Sequence, residues 1–422
     1  MRNTKPSGGR LDAALRKIPK IVSKRRYGYI IGALGVVLGM LTTLYLPLLL
    51  WGDHIWLVST STDGWNNWVS AEVSSLGGFS GYVHIFQITH TIETIPGWTL
   101  LISAPAVLSW HLHLVFPQYG YPMQYPSAWW VAGPTYMMVI LVVTVAADAV
   151  LDKMGRITKL NRVVVLLGVA SLSFVAVLWG HPEDIMSLAF SLMAVKTAHD
   201  GRYRAAAWWV SVALSMQLLA VLVVPLILVT FPYKRWGSMA WRMLLVPVIL
   251  MLPLMIGAPG ATLHAMLGQK IYKAAGMYSP MWNLASLGFI WRDLVFVGAI
   301  VVAIVYKRYM AHTMANMLWL WGMVVFLRIF EAEFIVYFVV PAMALMLLAS
   351  AGRMRWYQTA ALLVATAWTT KMLWIPIHGS WGHWGTLLGY EVLLIALARI
   401  GVQRSKVEEQ VRPPEPAELV EA

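Results

Sequence analysis

The chain has 422 residues, 59% of them apolar and only 12% charged, with a mean hydropathy of +0.66, whereas a soluble domain carries about 25% charged residues. A water-soluble globule is excluded. Lys and Arg outnumber Asp and Glu by 32 to 19, for a formal net charge of +13, and the absence of Cys excludes disulfides, thiolate metal sites and thiol nucleophiles.

Residues 1–27 hold nine Lys or Arg and form a basic tail. The apolar run that follows, Tyr27 to Trp51, is too long for a signal peptide and lacks a small-residue cleavage site, so it predicts a first transmembrane helix entered from the cytoplasm. Residues 51–130 then read as a large outer loop. Within it, 98–116 is apolar enough to span, yet counting it as a span inverts every later loop; it is expected to be an interfacial or re-entrant helix on the outer side. Further spans are expected near 131–150, 163–179, 184–197, 205–218, 219–232, 242–257, 289–306, 313–328, 334–351, 357–375 and 385–401. That makes about 12 transmembrane helices, each matched to a bilayer core needing roughly 20 apolar residues. With both termini inside, 27 of the 32 basic residues fall on the inner side, and only Lys270, Lys273, Arg292, Arg328 and Lys371 lie outside. The spans at 184–197 and 205–232 are short, and Pro225 interrupts the last, a pattern that often borders an intramembrane cavity.

The expected fold class is therefore all-α: a polytopic integral membrane protein with a single transmembrane domain over 28–401, and a disordered charged tail over 402–422. The location is the cell membrane, multi-pass, with both termini cytoplasmic. Membrane lipids account for the positive charge, and no nucleic-acid partner is expected. No metal-ligand run, phosphate loop or internal repeat is present, so no cofactor is expected.

Function must then come from polar residues on the outer side. The first cluster, DGWNNW, follows the first helix and contains Asp63, Trp65 and Asn67, with Asp53 just before it. An acidic residue in an outer loop is ordinarily a solvated surface group, and a Trp there is ordinarily an interface anchor. Aromatic faces with amide side chains also line sugar sites, where rings stack on apolar sugar faces and amides bond hydroxyls. The second cluster is GHPED, residues 180–184. Pro182 suits the first position of a helix, and Glu183 and Asp184 suit its dipole, so capping explains the acids as well as function does. His181 is a candidate to hydrogen-bond a phosphate or a sugar hydroxyl. The third cluster, FLRIFEAEF, sets Arg328 three residues before Glu331; an internal ion pair competes there with a guanidinium fork for a lipid phosphate. Lys270 and Lys273 are weaker candidates for the same task, contact with anionic headgroups being their ordinary role.

The order of these motifs resembles the GT-C superfamily of polyprenyl-phosphate-sugar-dependent membrane glycosyltransferases, of the bacterial, mannosyltransferase-like kind. DGWNNWVSA, from Asp63 to Ala71, is similar to the outer-loop Asp followed about eight residues later by Ala in bacterial members. IPGWTLLISAP, residues 95–105, resembles their Pro-Pro-Gly tract, and residues 180–228 resemble their Gly-His-Pro-Asp helix and basic hairpin. The match spans about two thirds of the chain. Ile95 replaces one Pro of the tract, Gln217 stands where a Lys often follows the hairpin, and no Asp-x-Asp metal motif occurs. The resemblance implies an enzyme, a hexosyl- or pentosyltransferase, that moves a sugar from a polyprenyl-phosphate donor to a lipid or glycan acceptor on the outer face. It implies Asp63 as general base with Asp53 as the other candidate. Arg328, His181, Glu183, Lys270, Trp65 and Asn67 would stand at the donor phosphate and sugar, and no metal is implied. A multi-span transporter or lipid flippase is the rival reading, and it predicts charges along a path through the bundle and a repeat relating two halves. A non-catalytic envelope scaffold is a third.

Overall fold

In a computed structural model of the protein, the described residues are 25–51, 62–88, 95–114, 127, 129–155, 157–178, 180–267, 288–330, 340–352, 357–361, 363–364 and 389; the side chains of 44–51, 62–66, 88, 267, 288–292 and 329–330 are not described. Among these residues every regular element is helical. The chain divides into two compact units, one comprising Met1–Lys153, Leu166–Val221 and Tyr233–Lys270, the other Met154–Val165, Leu222–Pro232 and Ile271–Ala422. Among the described residues, four helical segments are long and apolar enough to cross a membrane: Arg26–Thr43, Trp129–Leu151, Lys159–Leu178 and Tyr233–Gly257.

The first unit begins with α1 (Arg26–Trp51). One of its faces exposes Ile30, Leu34, Val37, Leu38 and Leu41, an apolar stripe at helical spacing that a bilayer would cover. Another face carries Gly28, Gly32, Gly35 and Gly39. A Cβ at these positions would come within 2.7–2.9 Å of Asp148, Leu141, Ile140 and Met137 in turn. Small residues thus let α1 press antiparallel against a later helix, van der Waals contact replacing the hydrophobic drive that lipid cannot supply.

The region expected to be an outer loop holds short helices: α2 (Thr62–Leu76), α3 (Gly78–Val83), α4 (Ile85–Ile88), α5 (Gly97–Leu101) and α6 (Ser103–His111). The segment 98–116 is thus no single span where it is described. It breaks at Ile102 into two helices of five and nine residues. Their buried side holds Trp98, Ile102 and Ala106, while Leu100, Leu101, Leu108 and Trp110 are exposed.

Next come α7 (Trp129–Leu151), against which α1 packs, α8 (Lys159–Leu178), α9 (Pro182–His199) and α10 (Tyr203–Met216). Both links flanking α9 are three residues long and are closed the same way. Gly180 (φ 83°) and Gly201 (φ 71°) take the left-handed conformation. His181 N–H then bonds to Ala176 O and Gly180 N–H to Val177 O, just as Arg202 N–H bonds to Thr197 O and Gly201 N–H to Ala198 O. This is the Schellman pattern, which satisfies the last carbonyls of the preceding helix and suits Gly because it has no Cβ. Beyond a 3₁₀ turn, Leu218–Val223, lies α11 (Val224–Leu228) with Pro225 at its start; this helix belongs to the second unit, as does the start of α8 up to Val165. The expected span at 219–232 is therefore helical but irregular. It is followed by α12 (Trp236–Gly257) and α13 (Pro259–Leu267). The Tyr82 hydroxyl donates to Leu250 O at 2.7 Å, tying α3 to α12; burial pushes that phenol up to about 12, so it stays a donor.

In the second unit, α14 (Gly288–Tyr309) and α15 (Met314–Phe326) form a hairpin. Lys307 and Arg308 sit in the last turn of α14, where cations complement the helix dipole. Thr313 caps α15 by accepting from Asn316 N–H at 3.2 Å. A 3₁₀ turn, Leu327–Phe330, carries Arg328, and α16 (Val340–Ser350) packs on α15 where Gly322 meets Leu345 and Met346. The expected spans at 357–375 and 385–401 and both tails lie almost wholly outside the described residues.

Candidate functional site

The first unit has two chemically distinct ends. At one, Arg25 pairs with Asp152, Gly28 N–H donates to Asp148 Oδ2 at 3.1 Å, and Lys153 and Lys196 both bind Asp200 at 2.7 Å. These residues belong to the start of α1, the ends of α7 and α9, and the turns beside them. Burial pushes the Asp200 carboxyl up, but the bonds from Lys153 and Lys196 outweigh it and hold the group below the usual range.

The other end gathers the candidate chemistry. α2 supplies Asn67 and Trp68, both buried. Asn67 Nδ2 donates to Glu183 Oε2 at 3.4 Å, and Glu183 Oε1 receives His181 Nδ1 at 2.9 Å. The Schellman turn explains His181's position: it is the last of the three link residues, and Pro182 starts α9 immediately after it. With Nδ1–H donating to a carboxylate, Nε2 carries the ring's lone pair in the neutral form. Glu183 and Asp184 are each only 3% exposed, so they are not the solvated caps of an ordinary surface helix. Two carboxylates buried side by side are costly unless paired and hydrogen-bonded. His181, Asn67 and the N-terminal dipole of α9 offset part of that cost.

Around this pair sits an aromatic group. Trp68 packs edge-on against Tyr136 of α7 with ring centroids 5.9 Å apart, and Trp98 of α5 lies 6.0 Å from the same ring. Trp68 Nε1 donates to Glu72 at 3.0 Å. Burial pushes the Glu72 carboxyl above the usual range, and the Trp68 bond only partly opposes it. Trp68 is 0% exposed, so it is neither a lipid anchor nor an open stacking face; its ring is packing material. Trp98 Nε1 is buried with no hydrogen-bond partner among the described residues. Gly97, the Gly of the Ile-Pro-Gly tract, meets the end of α10: a Cβ there would stand 2.3 Å from Ser215 O. Ser187 donates to Ala213 O and Gln217 O, binding the start of α9 to the end of α10, and Gln217 itself turns extended and ends that helix.

Asn67, His181 and Glu183 are thus brought together from residues 116 positions apart. Asp63 and Trp65 lie on α2, and position 63 is one turn before Asn67 on the same side of that helix. Asp53 and Lys270 lie outside the described residues. Arg328, partly buried, belongs to the second unit, and its expected partner Glu331 lies outside the described residues. Among the described residues no group of three or more His, Asp or Glu gathers to hold a metal ion. Sequence reasoning missed Tyr136, Trp98 and Glu72 as neighbours. Tyr136 carries no signal within its apolar run, whereas Trp68 and Glu72, four apart on one helix, were a detectable pair. No protein-family model matches the chain, and no curated protein matches it significantly.

Proposed function

We propose that the protein is a membrane glycosyltransferase of about 12 spans, given a bilayer that needs roughly 20 apolar residues for each. It moves a sugar from a polyprenyl-phosphate donor to a lipid or glycan acceptor on the outer face. The observation that supports this most is the hydrogen-bonded group Asn67–Glu183–His181 at the end of the first unit opposite the Lys- and Arg-rich turns. By the positive-inside rule that basic end is cytoplasmic, which puts the polar group on the outer side. The acceptor hydroxyl attacks the anomeric carbon, its proton passes to Asp63, and the polyprenyl phosphate leaves as an anion. Such a leaving group needs no general acid, only donors and cations to hold it. His181 is the phosphate contact of the first unit; Arg328 and Lys270 are candidates by side-chain chemistry alone, Trp65 serves the sugar, and Asn67 acts through its bond to Glu183.

The test is transfer from a polyprenyl-phosphate sugar by the purified full chain in lipid vesicles. Asp63→Asn should lower the rate by about two to four orders of magnitude, the usual cost of losing a general base, with thermal stability unchanged. An active Asp63→Asn protein beside a dead Asp53→Asn protein would move the base to Asp53. Absence of transfer by the wild-type chain across a panel of polyprenyl-phosphate sugars, with facilitated movement of the lipid between leaflets, would replace the reading with transport.

A further inference from the structure

The sequence places Glu183 among the donor contacts, but its geometry points elsewhere. The side chain is almost wholly enclosed, and each carboxylate oxygen already has a protein partner: Oε1 the His181 ring, Oε2 the Asn67 amide. A carboxylate so engaged has little to offer a ligand, and next to a departing phosphate it would be repulsive. We propose that Glu183 is a positioning residue: it orients the His181 ring through Nδ1 and favours its cationic form, while Asn67 anchors the carboxylate from α2. This deepens the glycosyltransferase reading, on which it rests only for the purpose His181 serves.

Three features make the assignment specific. His181 sits at the end of a three-residue link whose backbone is set by the Schellman turn on one side and by Pro182 on the other, so only its side-chain torsions remain to be set, and the Nδ1 contact sets them. Outer partners of this kind fix ring orientation and tautomer wherever an imidazole must meet a ligand in one geometry. Second, the Asn67 bond crosses from α2 to α9, so the helix bearing Asp63 and the turn bearing His181 share one hydrogen-bonded carboxylate. Third, a carboxylate contacts His181 directly: Glu183, which also accepts from Asn67 of α2 and interacts electrostatically with Asp184 on α9 and with Tyr136 of α7. A carboxylate in contact favours the imidazolium, which suits a phosphate and not a proton acceptor.

The test reads His181 directly. The rate of its modification by diethyl pyrocarbonate, which attacks the neutral ring, is followed against pH by peptide mass spectrometry in the full chain held in detergent. In Glu183→Gln the midpoint should fall by at least about one pH unit, the effect expected of losing an opposite charge in contact. Asn67→Ala keeps every charge and should lower the midpoint by less. Under the glycosyltransferase reading, transfer falls as pH rises through the His181 midpoint, and Glu183→Gln should move that alkaline limb down by the same amount. A structural role alone would reduce thermal stability in both variants without moving the midpoint, and coincident midpoints in all three proteins would overturn the proposal. If the wild-type chain shows no transfer, the functional reading falls while the titration still decides whether Glu183 governs His181.

Discussion

Gly97→Ala is the substitution whose outcome the packing determines most directly. Ala is favoured over Gly by about 1 kcal/mol in a helix interior, and by less at Gly97, the first residue of α5, so propensity alone predicts at most a slight stabilisation. At position 97, however, the added Cβ would lie 2.3 Å from Ser215 O and 2.7 Å from Ser215 C. These are backbone atoms at the end of α10, and no rotamer change removes them. Relief requires α5 and the α10 terminus to separate by about 1 Å, and overpacking of this kind costs typically about 1–3 kcal/mol, occasionally more. The steric term therefore wins, and the separation also disturbs Trp98, which follows directly and packs on Tyr136. Gly237→Ala is the control, since nothing lies within 4 Å of a Cβ there. Thermal unfolding in detergent, followed by intrinsic Trp fluorescence, should show Gly97→Ala melting below the wild type and Gly237→Ala at or slightly above it. Equal melting of the two variants would refute the close approach of α5 to α10.

At Arg328, replacement by Lys should impair transfer, because Lys keeps the charge but loses the planar fork that grips a phosphate; full activity of an Arg328→Met, Glu331→Leu double mutant would show instead that Arg328 only neutralises Glu331. Asp200→Asn should destabilise the basic end modestly, by roughly 1 kcal/mol or less, because Lys153 is substantially exposed and solvent screens such pairs. The sign of its pH dependence follows from the lowered carboxyl: Asp200's contribution is present above its unfolded value of about 4 and is lost as pH falls through the lower folded value. The stability difference between wild type and Asp200→Asn, measured from pH 7 downward, should therefore shrink in acid; a difference that grows there would contradict the pairing. Reporter fusions after Arg162, Arg204, Arg235, Arg308 or Arg355 should report cytoplasm, and those after Gly120 or Gly260 the outside. A cytoplasmic signal at Gly120 would remove Asp63 and the Pro-Gly tract from one outer loop.

Composition and periodicity were enough for the membrane character, the helical class and most helix positions, because burying a backbone in lipid leaves little choice but a helix and demands a long apolar run that is visible in one dimension. His181–Pro182 as a helix start was legible for a similarly local reason: a left-handed Gly followed by Pro at the first helical position is a contact among near neighbours. The break of 98–116 into two short helices was only half legible, since hydropathy registers apolar content but not a bend at Ile102. The glycine face of α1 stood in the sequence at helical spacing, but its partner did not; that Gly28 meets Asp148 and Gly39 meets Met137 depends on which helix lies alongside. The same holds at the candidate site. Asp63, Asn67, His181 and Glu183 were each nameable as polar residues beside apolar runs, yet Trp68's enclosure against Tyr136 and Glu183's double engagement emerged only from tertiary packing. The Trp68–Tyr136 and Asn67–Glu183 contacts join positions more than 60 residues apart, and their geometry is set by the packing of α2 and α7 against neighbouring helices, which no local pattern along the chain encodes.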